Sequence, residues 1–321
     1  MADKVRCALI GAGGMANGVH YPSLAEIHNQ QNEPDWHTTP ERISAADGQR
    51  AAASQYFRRL VIEDAGQLVA TGTIHPDFDE PPAPRRRWVY LYCHPDHRGL
   101  GHDRRLLARA LELDSGQVTE VATTIRADFV SMTSFLEEEE FEELYRTWGS
   151  HLDLTRFESG AFDPLIAELE SRGVRLVAYD SLPPSPELEA RVIAFQREVE
   201  EDAVAFEPVI PRRQDDLRSE HAMPHTLTLA LVGEDEFIGM ASLVGPSRGE
   251  MIESGFIGVA RAYRNRGVGT ALGARTAAIA KALGFRDLNA AGAGVDTPDL
   301  ALKRRLGYVI EPAWITFAKS L

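Results

Sequence analysis

The residue types and spacing best suited to chemistry lie in one short stretch of the second half of the chain. It reads Arg264-Asn265-Arg266-Gly267-Val268-Gly269-Thr270 and lies between a β-like run and an apolar-periodic segment. Backbone N–H groups at a helix start point outwards, and the helix dipole favours negative charge there. Glycine lets an anion approach without a Cβ in the way, and arginine adds a cation that can bind two oxygens. The stretch therefore predicts a pyrophosphate site.

The elements around this stretch are predicted from periodicity and from turn residues. Met251–Val259 is a β-like run, and Gly269–Leu283 has the apolar stripe of a helix, with Gly284 where a C-terminal glycine cap belongs. Thr297 before Pro298 is a predicted helix N-cap. The remaining predicted elements are a hairpin of Thr226–Val232 and Phe237–Leu243, a strand at Asp287–Ala291, a helix at Pro298–Leu306 and a final hairpin within Tyr308–Phe317.

The first half of the chain repeats this order of elements. Gln55–Asp64 and Gln67–His75 form a predicted hairpin around Ala65-Gly66, and a strand at Trp88–Cys93 precedes a helix at Asp103–Leu113. From this repeated order we infer an internal duplication, with predicted domains at 1–158 and 159–321. The predicted fold class is α/β, with each domain a mixed, twisted sheet flanked by helices.

Composition and charge exclude several classes of protein. Hydrophobic residues make up 44% and charged residues 26%, which is ordinary for a globular chain. The net charge of −14 would repel a phosphate backbone, so nucleic acid is not an expected partner. No apolar run reaches the ~18 residues of a membrane span, and no signal-peptide pattern is present, which favours a cytoplasmic protein. Two cysteines, Cys7 and Cys93, are too few for a zinc site or a disulfide framework, and no metal is predicted.

The motif Arg-x-x-Gly-x-Gly between a strand and a helix resembles the coenzyme A signature of the GNAT N-acetyltransferase superfamily. Lys281–Phe285 and Arg305–Tyr308 are similar to that family's helix end and the start of its final hairpin, and the resemblance covers most of residues 20–321 in two copies. It implies two tandem GNAT-like domains, acetyl-CoA as acyl donor and a small-molecule amine as acceptor. The implied cofactor-binding residues are Ile257, Gly258, Val259, Arg264, Asn265, Arg266, Gly267, Val268, Gly269 and Thr270.

The resemblance also implies catalytic residues. Glu253, eleven residues before Arg264, holds the position of the base that accepts the proton of the amine. A solvent-facing strand carboxylate is the alternative interpretation. The family's usual proton donor to the departing thiolate is a tyrosine, but Lys303 stands at its position. Tyr308 and Tyr263 are nearby candidates for the proton donor, and a packing role is the alternative for each. The predicted catalytic residues are Glu253 and Tyr308.

The first half departs from the motif. Alignment places Arg98, Gly101 and Asp103 opposite Arg264, Gly267 and Gly269, while Arg87 replaces Glu253 and Leu136 replaces Lys303. At about 5 Å and an effective dielectric of about 20, the Asp103 charge would cost roughly 3 kcal/mol against a phosphate, or about a hundredfold in affinity. The sequence therefore predicts that the first domain keeps the fold but does not bind coenzyme A tightly.

A second resemblance lies in residues 5–26. The Gly11-Ala-Gly13-Gly14-Met-Ala16 turn is similar to the opening of sugar-type NAD-dependent oxidoreductases. A dinucleotide site needs a second parallel strand ending in an acid about 20 residues further on. The following stretch, His28–Arg50, is polar and interrupted by prolines, so we interpret residues 5–26 as the first strand and helix of the first domain. His94 and His97, which flank the altered motif, are interpreted as loop residues.

The leading prediction is acyl transfer, with acetyl as the expected group, from acyl-CoA to an amine by the second domain. The alternative is a non-catalytic acyl-CoA-binding or regulatory module, consistent with the missing tyrosine. The duplication leaves both a monomer and a homodimer open, because one chain already contains two copies of the unit.

Overall fold

A computed structural model describes residues 5–8, 20–30, 37–53, 56–76, 86–113, 118–201, 226–294 and 297–321. The chain forms two compact units. The first unit contains residues 1–125, 129–144 and 315–321, and the second contains residues 126–128 and 145–314. Each unit is a mixed β-sheet flanked by helices, so the predicted α/β class is confirmed.

The first unit has four helices and six strands in the described part of the chain. The helices are α1 (Tyr21–Asn29), α2 (Pro40–Ala53), α3 (His102–Leu113) and α4 (Val130–Glu138). The strands are β1 (Val5–Ala8), β2 (Arg58–Asp64), β3 (Gln67–Pro76), β4 (Arg86–Cys93), β5 (Glu120–Arg126) and β13 (Trp314–Ser320), in the sheet order β1-β2-β3-β4-β5-β13. Strands β1 to β4 pair antiparallel, and β4 pairs parallel with β5.

Local sequence explains the centre of this unit. Ala65 and Gly66 have φ values of 47° and 84°, which close the predicted hairpin with Asp64 opposite Gln67. Helix α3 buries Leu106, Leu107 and Ala110, the apolar face expected from its spacing. The buried Arg59 of β2 donates two hydrogen bonds of 2.6 Å to the carboxylate of Asp47 in α2, so the two opposite charges of this contact are paired with each other.

The second unit contains α5 (Asp163–Ser171), α6 (Pro186–Glu200), α7 (Val268–Ala282) and α8 (Pro298–Leu306). Its strands are β6 (Glu142–Asp153), β7 (Val174–Ala178), β8 (Leu227–Val232), β9 (Glu236–Arg248), β10 (Met251–Val259), β11 (Asp287–Ala293) and β12 (Val309–Ile310). The sheet order is β6-β11-β10-β9-β8-β7, and β12 pairs with β6.

The core of the second unit lies on both faces of this sheet. Helices α7 and α8 pack on one face: Leu306 lies in a cluster with Ile252 and Leu288, and Leu272 lies in a cluster with Ile238. Helix α6 packs through Phe195 on strands β8 and β9. The predicted caps are confirmed at both helices: Thr297 accepts a hydrogen bond from the Leu300 N–H at 3.2 Å, and Gly284, with φ of 92°, follows the end of α7.

One sequence prediction about the C-terminal strands differs from the structure. The final hairpin predicted within Tyr308–Phe317 is wrong, since β12 pairs with β6 and β13 lies beside β5 in the first unit. The predicted domain ranges 1–158 and 159–321 stay a prediction. Hydrogen-bonded strand partners are chosen by non-local packing, which element order along the chain does not reveal.

The predicted Gly11–Ala16 turn lies outside the described residues. Strand β1 before it pairs antiparallel with β2, with Val5 opposite Ile62, and serves as the first strand of the unit. In the described part of the chain, no helix is both long and apolar enough to cross a membrane.

Candidate active site

The predicted phosphate-binding turn follows β10 as expected. A short 3₁₀ helix, Arg261–Tyr263, leads into a turn in which Asn265 and Gly267 have φ values of 60° and 87°. A Cβ on Gly267 would lie 2.6 Å from Cδ1 of Leu165, and its positive φ disfavours other residues. Glycine is therefore favoured here by backbone conformation, while the Leu165 side chain could move to make room for a Cβ.

The start of α7 offers several backbone donors. The first helical hydrogen bond runs from the Ala271 N–H to the Gly267 carbonyl, at 3.0 Å. The N–H groups of Val268, Gly269 and Thr270 consequently have no partner within the helix. The N-cap, Gly267, makes no side-chain capping bond, and the first turn contains no acidic residue. These features favour an anion.

Three cationic side chains lie around this turn. Arg264 donates through Nε to the Val259 carbonyl at 2.9 Å, which holds its guanidinium beside the end of β10. The Arg266 guanidinium lies 5.5 Å from the centre of the Tyr263 ring. Arg305, from α8, donates to the Thr270 hydroxyl at 3.2 Å. All three arginines are exposed, so they remain accessible to a charged ligand.

An opening separates β10 from β11. Their parallel pairing joins Met251 to Asp287 and ends with Glu253 opposite Asn289, and among the described residues no pair joins the two strands further on. Beyond Ser254 the pairing of β10 with β9 shifts register, a bulge of the kind that bends a strand. The predicted residues Ile257, Gly258 and Val259 pair with β9 on one side and border the opening on the other.

Glu253 lies at the apex of this opening and is exposed. Its neighbours in the same row of the sheet are Val244 on β9 and Asn289 on β11. Ile252, beside it, is buried under α7. Because adjacent strand residues point to opposite faces, Glu253 points away from α7. The structure thus brings Glu253 to the closed end of the opening, while the phosphate-binding turn lies at its other end.

A polar cluster lies under the apex, on the side of α8. Lys303 is buried and donates to the Ser254 hydroxyl at 3.0 Å, and its Nζ lies 5.1 Å from the Tyr308 ring centre. Burial lowers the pKa of Lys303, and Asp299 partly opposes this. Burial also raises the pKa of Tyr308, Ser254 opposes that rise by hydrogen bonding, and Asp299 adds to it. Tyr308 is therefore a neutral phenol at the apex, next to a buried amine.

Tyr263, the other tyrosine considered, lies in the turn rather than at the apex. Its hydroxyl donates to Glu236 at 3.3 Å, and it supports Arg266. Its position suits the phosphate-binding turn and not the closed end of the opening.

A family comparison agrees with this geometry. The sequence profile of the acetyltransferase (GNAT) family matches residues 21–154 and again residues 192–308, which together exceed half of the chain. The chain belongs to the acetyltransferase (GNAT) family. Acyl transfer is therefore its chemistry in general terms, and the two matches agree with the predicted duplication.

Solved GNAT structures share the whole fold. A GCN5-related N-acetyltransferase from Sphaerobacter thermophilus has a TM-score of 0.67 and 17% identity, over 98% of this chain and 95% of that one. A tandem GNAT protein from the clavulanic acid biosynthesis pathway has a TM-score of 0.63 and 16% identity, over 99% and 98%. At these identities the similarity establishes the tandem fold. No curated protein sequence matches the chain.

A third similar structure is the GCN5-related glucosamine N-acetyltransferase region of a fungal multi-domain GH3 β-N-acetylglucosaminidase. It has a TM-score of 0.65 and 14% identity, over 99% of this chain. This chain spans only 38% of that protein, so the similarity concerns one region of it.

The first GNAT unit repeats the turn but not its chemistry. Gly99 and Gly101 have φ values of 73° and 77°, matching Asn265 and Gly267 in the second unit. At the helix start, however, Asp103 replaces Gly269. Burial raises the pKa of Asp103, with His102 and Arg98 opposing, and its Oδ1 is buried without a hydrogen-bond partner among the described residues. A carboxylate thus occupies the place where the second unit offers backbone donors.

The surroundings of Cys93 and His94 in this altered turn suit structural roles. Burial, and secondarily Asp103, raises the pKa of Cys93 to about 12, so its thiol stays protonated. The His94 side chain accepts from the Asp96 N–H at 3.3 Å, which caps the short 3₁₀ helix Pro95–His97. Within the described ranges, no group of three or more His, Cys, Asp or Glu side chains could hold a metal ion.

Two features of the site could not be read from the motif. Arg305 belongs to the stretch that resembles the family's final hairpin, yet its guanidinium reaches the start of α7. Lys303 was noted as a departure from the family, but its bond to Ser254 at the apex was not anticipated. Both contacts join α8 to elements far away in the sequence. The feature of the sequence that could have indicated them was the presence of two charged residues, Lys303 and Arg305, on a helix of apolar periodicity.

Proposed function

We propose that the second unit transfers an acyl group, in the first instance acetyl, from acyl-CoA to the nitrogen of a small-molecule amine. The observation that carries this proposal is the pairing of an uncapped helix start at Gly267 with an opening between β10 and β11 that ends at Glu253. One end suits a pyrophosphate, the other offers a carboxylate, and the strand edge between them runs in the extended direction of a pantetheine arm.

In this proposal the acyl donor is held mainly by backbone groups. The N–H groups of Val268, Gly269 and Thr270 bind the pyrophosphate, with the helix dipole and the guanidinium of Arg264 adding positive potential. Asn265, Arg266 and Gly267 complete the predicted turn. The free edge of Ile257, Gly258 and Val259 pairs with the pantetheine amides, since an exposed strand edge carries unpaired N–H and C=O groups.

Glu253 is the proposed general base. An alkylammonium is mostly protonated near neutral pH, so the amine must lose a proton before or during attack. The exposed carboxylate of Glu253 accepts it directly or through water, and the nitrogen then bonds to the acyl carbon. Backbone N–H groups of β10 next to the bulge stabilise the negative charge that develops on the carbonyl oxygen. Tyr308, also predicted as catalytic, borders the sulfur from the α8 side.

The first unit is proposed to keep the fold without tight coenzyme A binding. Asp103 would bring a negative charge to the phosphates, and Arg87 stands where the second unit has Glu253. Leu136, buried in α4, stands where the second unit has Lys303. All three differences remove parts of the proposed site, so we assign the reaction to the second unit.

The proposal extends to partners and location. An acidic chain with a net charge of −14 suits a cationic small-molecule acceptor better than nucleic acid or an anionic membrane. We further propose a cytoplasmic enzyme that acts as a monomer or homodimer.

Calorimetric titration of acetyl-CoA and of NAD against the full chain tests the proposal. The wild type should bind acetyl-CoA and not NAD. Gly269→Asp should weaken binding about a hundredfold through like-charge repulsion, and Gly269→Asn, of nearly the same shape but neutral, should weaken it much less. A Cβ at Gly269 would have its nearest neighbour at 3.5 Å, so the fold accepts both changes. Binding of NAD in place of acetyl-CoA would overturn the proposal.

A further inference from the structure

Lys303 is the largest of the fully buried side chains in the described structure, with 2% of its surface exposed. Its amine donates one hydrogen bond, to Ser254. Asp299, one turn earlier on α8, acts on it only at longer range. An unpaired buried ammonium is costly, so lysine is a poor choice for filling this core position.

The first unit indicates that the fold does not need lysine here. In α4 the Phe141 N–H donates to the Leu136 carbonyl at 2.9 Å, and in α8 the Tyr308 N–H donates to the Lys303 carbonyl at 3.1 Å. The two helices therefore end in the same way, with Leu136 at the position of Lys303. Leu136 is equally buried, at 2%. The polar pair of Lys303 and Tyr308 occurs only in the unit that keeps the phosphate-binding turn.

The position of Ser254 connects Lys303 to the proposed chemistry. Ser254 is the first residue of β10 beyond its last pair with β11. From Val259, beside the phosphate-binding turn, back to Ser254 the strand spans roughly 17 Å at about 3.3 Å per residue. That span is of the same order as an extended pantetheine arm. A thioester whose pyrophosphate lies at the start of α7 would thus bring its sulfur close to the Ser254 hydroxyl.

The hydrogen-bond directions suit proton transfer. An ammonium has donors only, so the Ser254 oxygen accepts from Lys303, and the Ser254 hydroxyl is also hydrogen-bonded to Tyr308. Among the described residues, the groups around the amine are Asp299 on α8, Ser254 on β10 and Tyr308 after α8. Burial lowers the pKa of Lys303 and raises that of Tyr308. An amine with a lowered pKa gives up a proton more readily than a phenol with a raised one.

Resting on the proposed function, we propose that Lys303 supplies, through the Ser254 hydroxyl, the proton that the departing coenzyme A sulfur requires. As the amine nitrogen bonds to the acyl carbon, the carbon–sulfur bond breaks and its electron pair stays on sulfur. Ser254 passes its proton to that sulfur and takes one from Lys303, which becomes a neutral amine. The proton lost by the acceptor leaves through Glu253, and Lys303 regains a proton from solvent, so no oxidation or reduction occurs.

The test uses free coenzyme A bound to the full chain and needs no acceptor. Ultraviolet absorbance of the thiolate, followed against pH, gives the pKa of the bound thiol. In the wild type this pKa should lie about one unit or more below its value in Lys303→Met, because a nearby ammonium stabilises the thiolate. Lys303→Arg, which keeps the charge, should retain the low value. Arg304→Met removes an exposed charge from the same helix and should leave the thiol pKa unchanged.

The outcomes separate this inference from the proposed function. Equal thiol pKa values in the wild type and Lys303→Met, with coenzyme A bound to both, would overturn the proton-donor role alone. Failure of the wild type to bind coenzyme A would overturn the proposed function and this inference together. Urea denaturation provides a structural check: Lys303→Met should be at least as stable as the wild type, as Leu136 suggests, whereas marked destabilisation would indicate a structural lysine and contradict the inference.

Discussion

The guanidinium of Arg305 donates a hydrogen bond to the Thr270 hydroxyl, with 3.2 Å between Nη1 and Oγ1. This contact brings a cation from α8 to the first turn of α7. Three backbone N–H groups without helical partners lie in the same turn, and no acidic residue competes with them. The turn is therefore more strongly basic than its motif alone indicates.

We predict that Arg305→Ala raises the Kd for acetyl-CoA about tenfold, the lower end of the range for a charged hydrogen bond because the side chain is exposed. Isothermal calorimetry measures this change. Arg304→Ala is the matched control, since Arg304 is exposed one position earlier on the same helix. Equal Kd values for the two variants would show that Arg305 does not contact the phosphates.

Glu253→Gln should lower the rate of acyl transfer by a factor of about 100 or more, the usual contribution of a general base. Its Kd for acetyl-CoA should stay close to that of the wild type, because Glu253 lies at the opposite end of the opening from the turn. Thiol release with the most active amine of a broad panel is the measurement. Glu250→Gln, which loses only an exposed contact with Arg286, is the control. A fully active Glu253→Gln would leave Glu253 as a surface carboxylate.

Asp47→Ala should lower the free energy of unfolding of the first unit by about 3–5 kcal/mol, because it leaves the buried Arg59 charge without its partner. Asp47 and Arg59 are 0% and 6% exposed, so solvent cannot replace the lost bonds. Urea denaturation followed by circular dichroism tests this. Glu112→Ala, which breaks an exposed pair with Arg109, should cost about 0.5 kcal/mol or less. Similar losses in both variants would contradict the prediction.

Asp103→Asn should stabilise the protein in a pH-dependent way. Burial, opposed by His102, Arg98 and a backbone hydrogen bond, raises the pKa of Asp103 in the folded state above its unfolded value of about 3.9. Below that value the carboxyl is protonated in both states, and the variant has no advantage. As pH rises from there through the folded pKa, the wild type loses stability relative to the variant, and above it the difference is constant.

Urea denaturation between pH 3.5 and 8 measures this difference in the free energy of unfolding. Asp64→Asn, at an exposed position beside the β2–β3 turn, should show no comparable trend. If the difference in the free energy of unfolding between the wild type and Asp103→Asn stayed constant across this range, burial would not shift the pKa of Asp103.

The sequence predicted the local elements well because their signals are local. The Ala65-Gly66 turn determined one hairpin, and Thr297 with Pro298 determined the start of α8. The helix start with glycines at Gly267 and Gly269 could be read from the sequence because a positive φ and an uncapped helix start depend on a few neighbouring residues. The family match to two separate segments also agrees with the repeated order of elements.

Contacts between distant segments needed the tertiary structure. Period-two patterns identified the strands but not their partners, so β13 was expected in a hairpin after β12 and instead belongs to the sheet of the first unit. On α8 the Lys303 amine is buried against Ser254, and the Arg305 guanidinium reaches Thr270. The sequence by itself determined which backbone conformations were available. Tertiary packing decided which strands pair and which side chains contact one another, because strand pairing and side-chain burial depend on residues far apart along the chain.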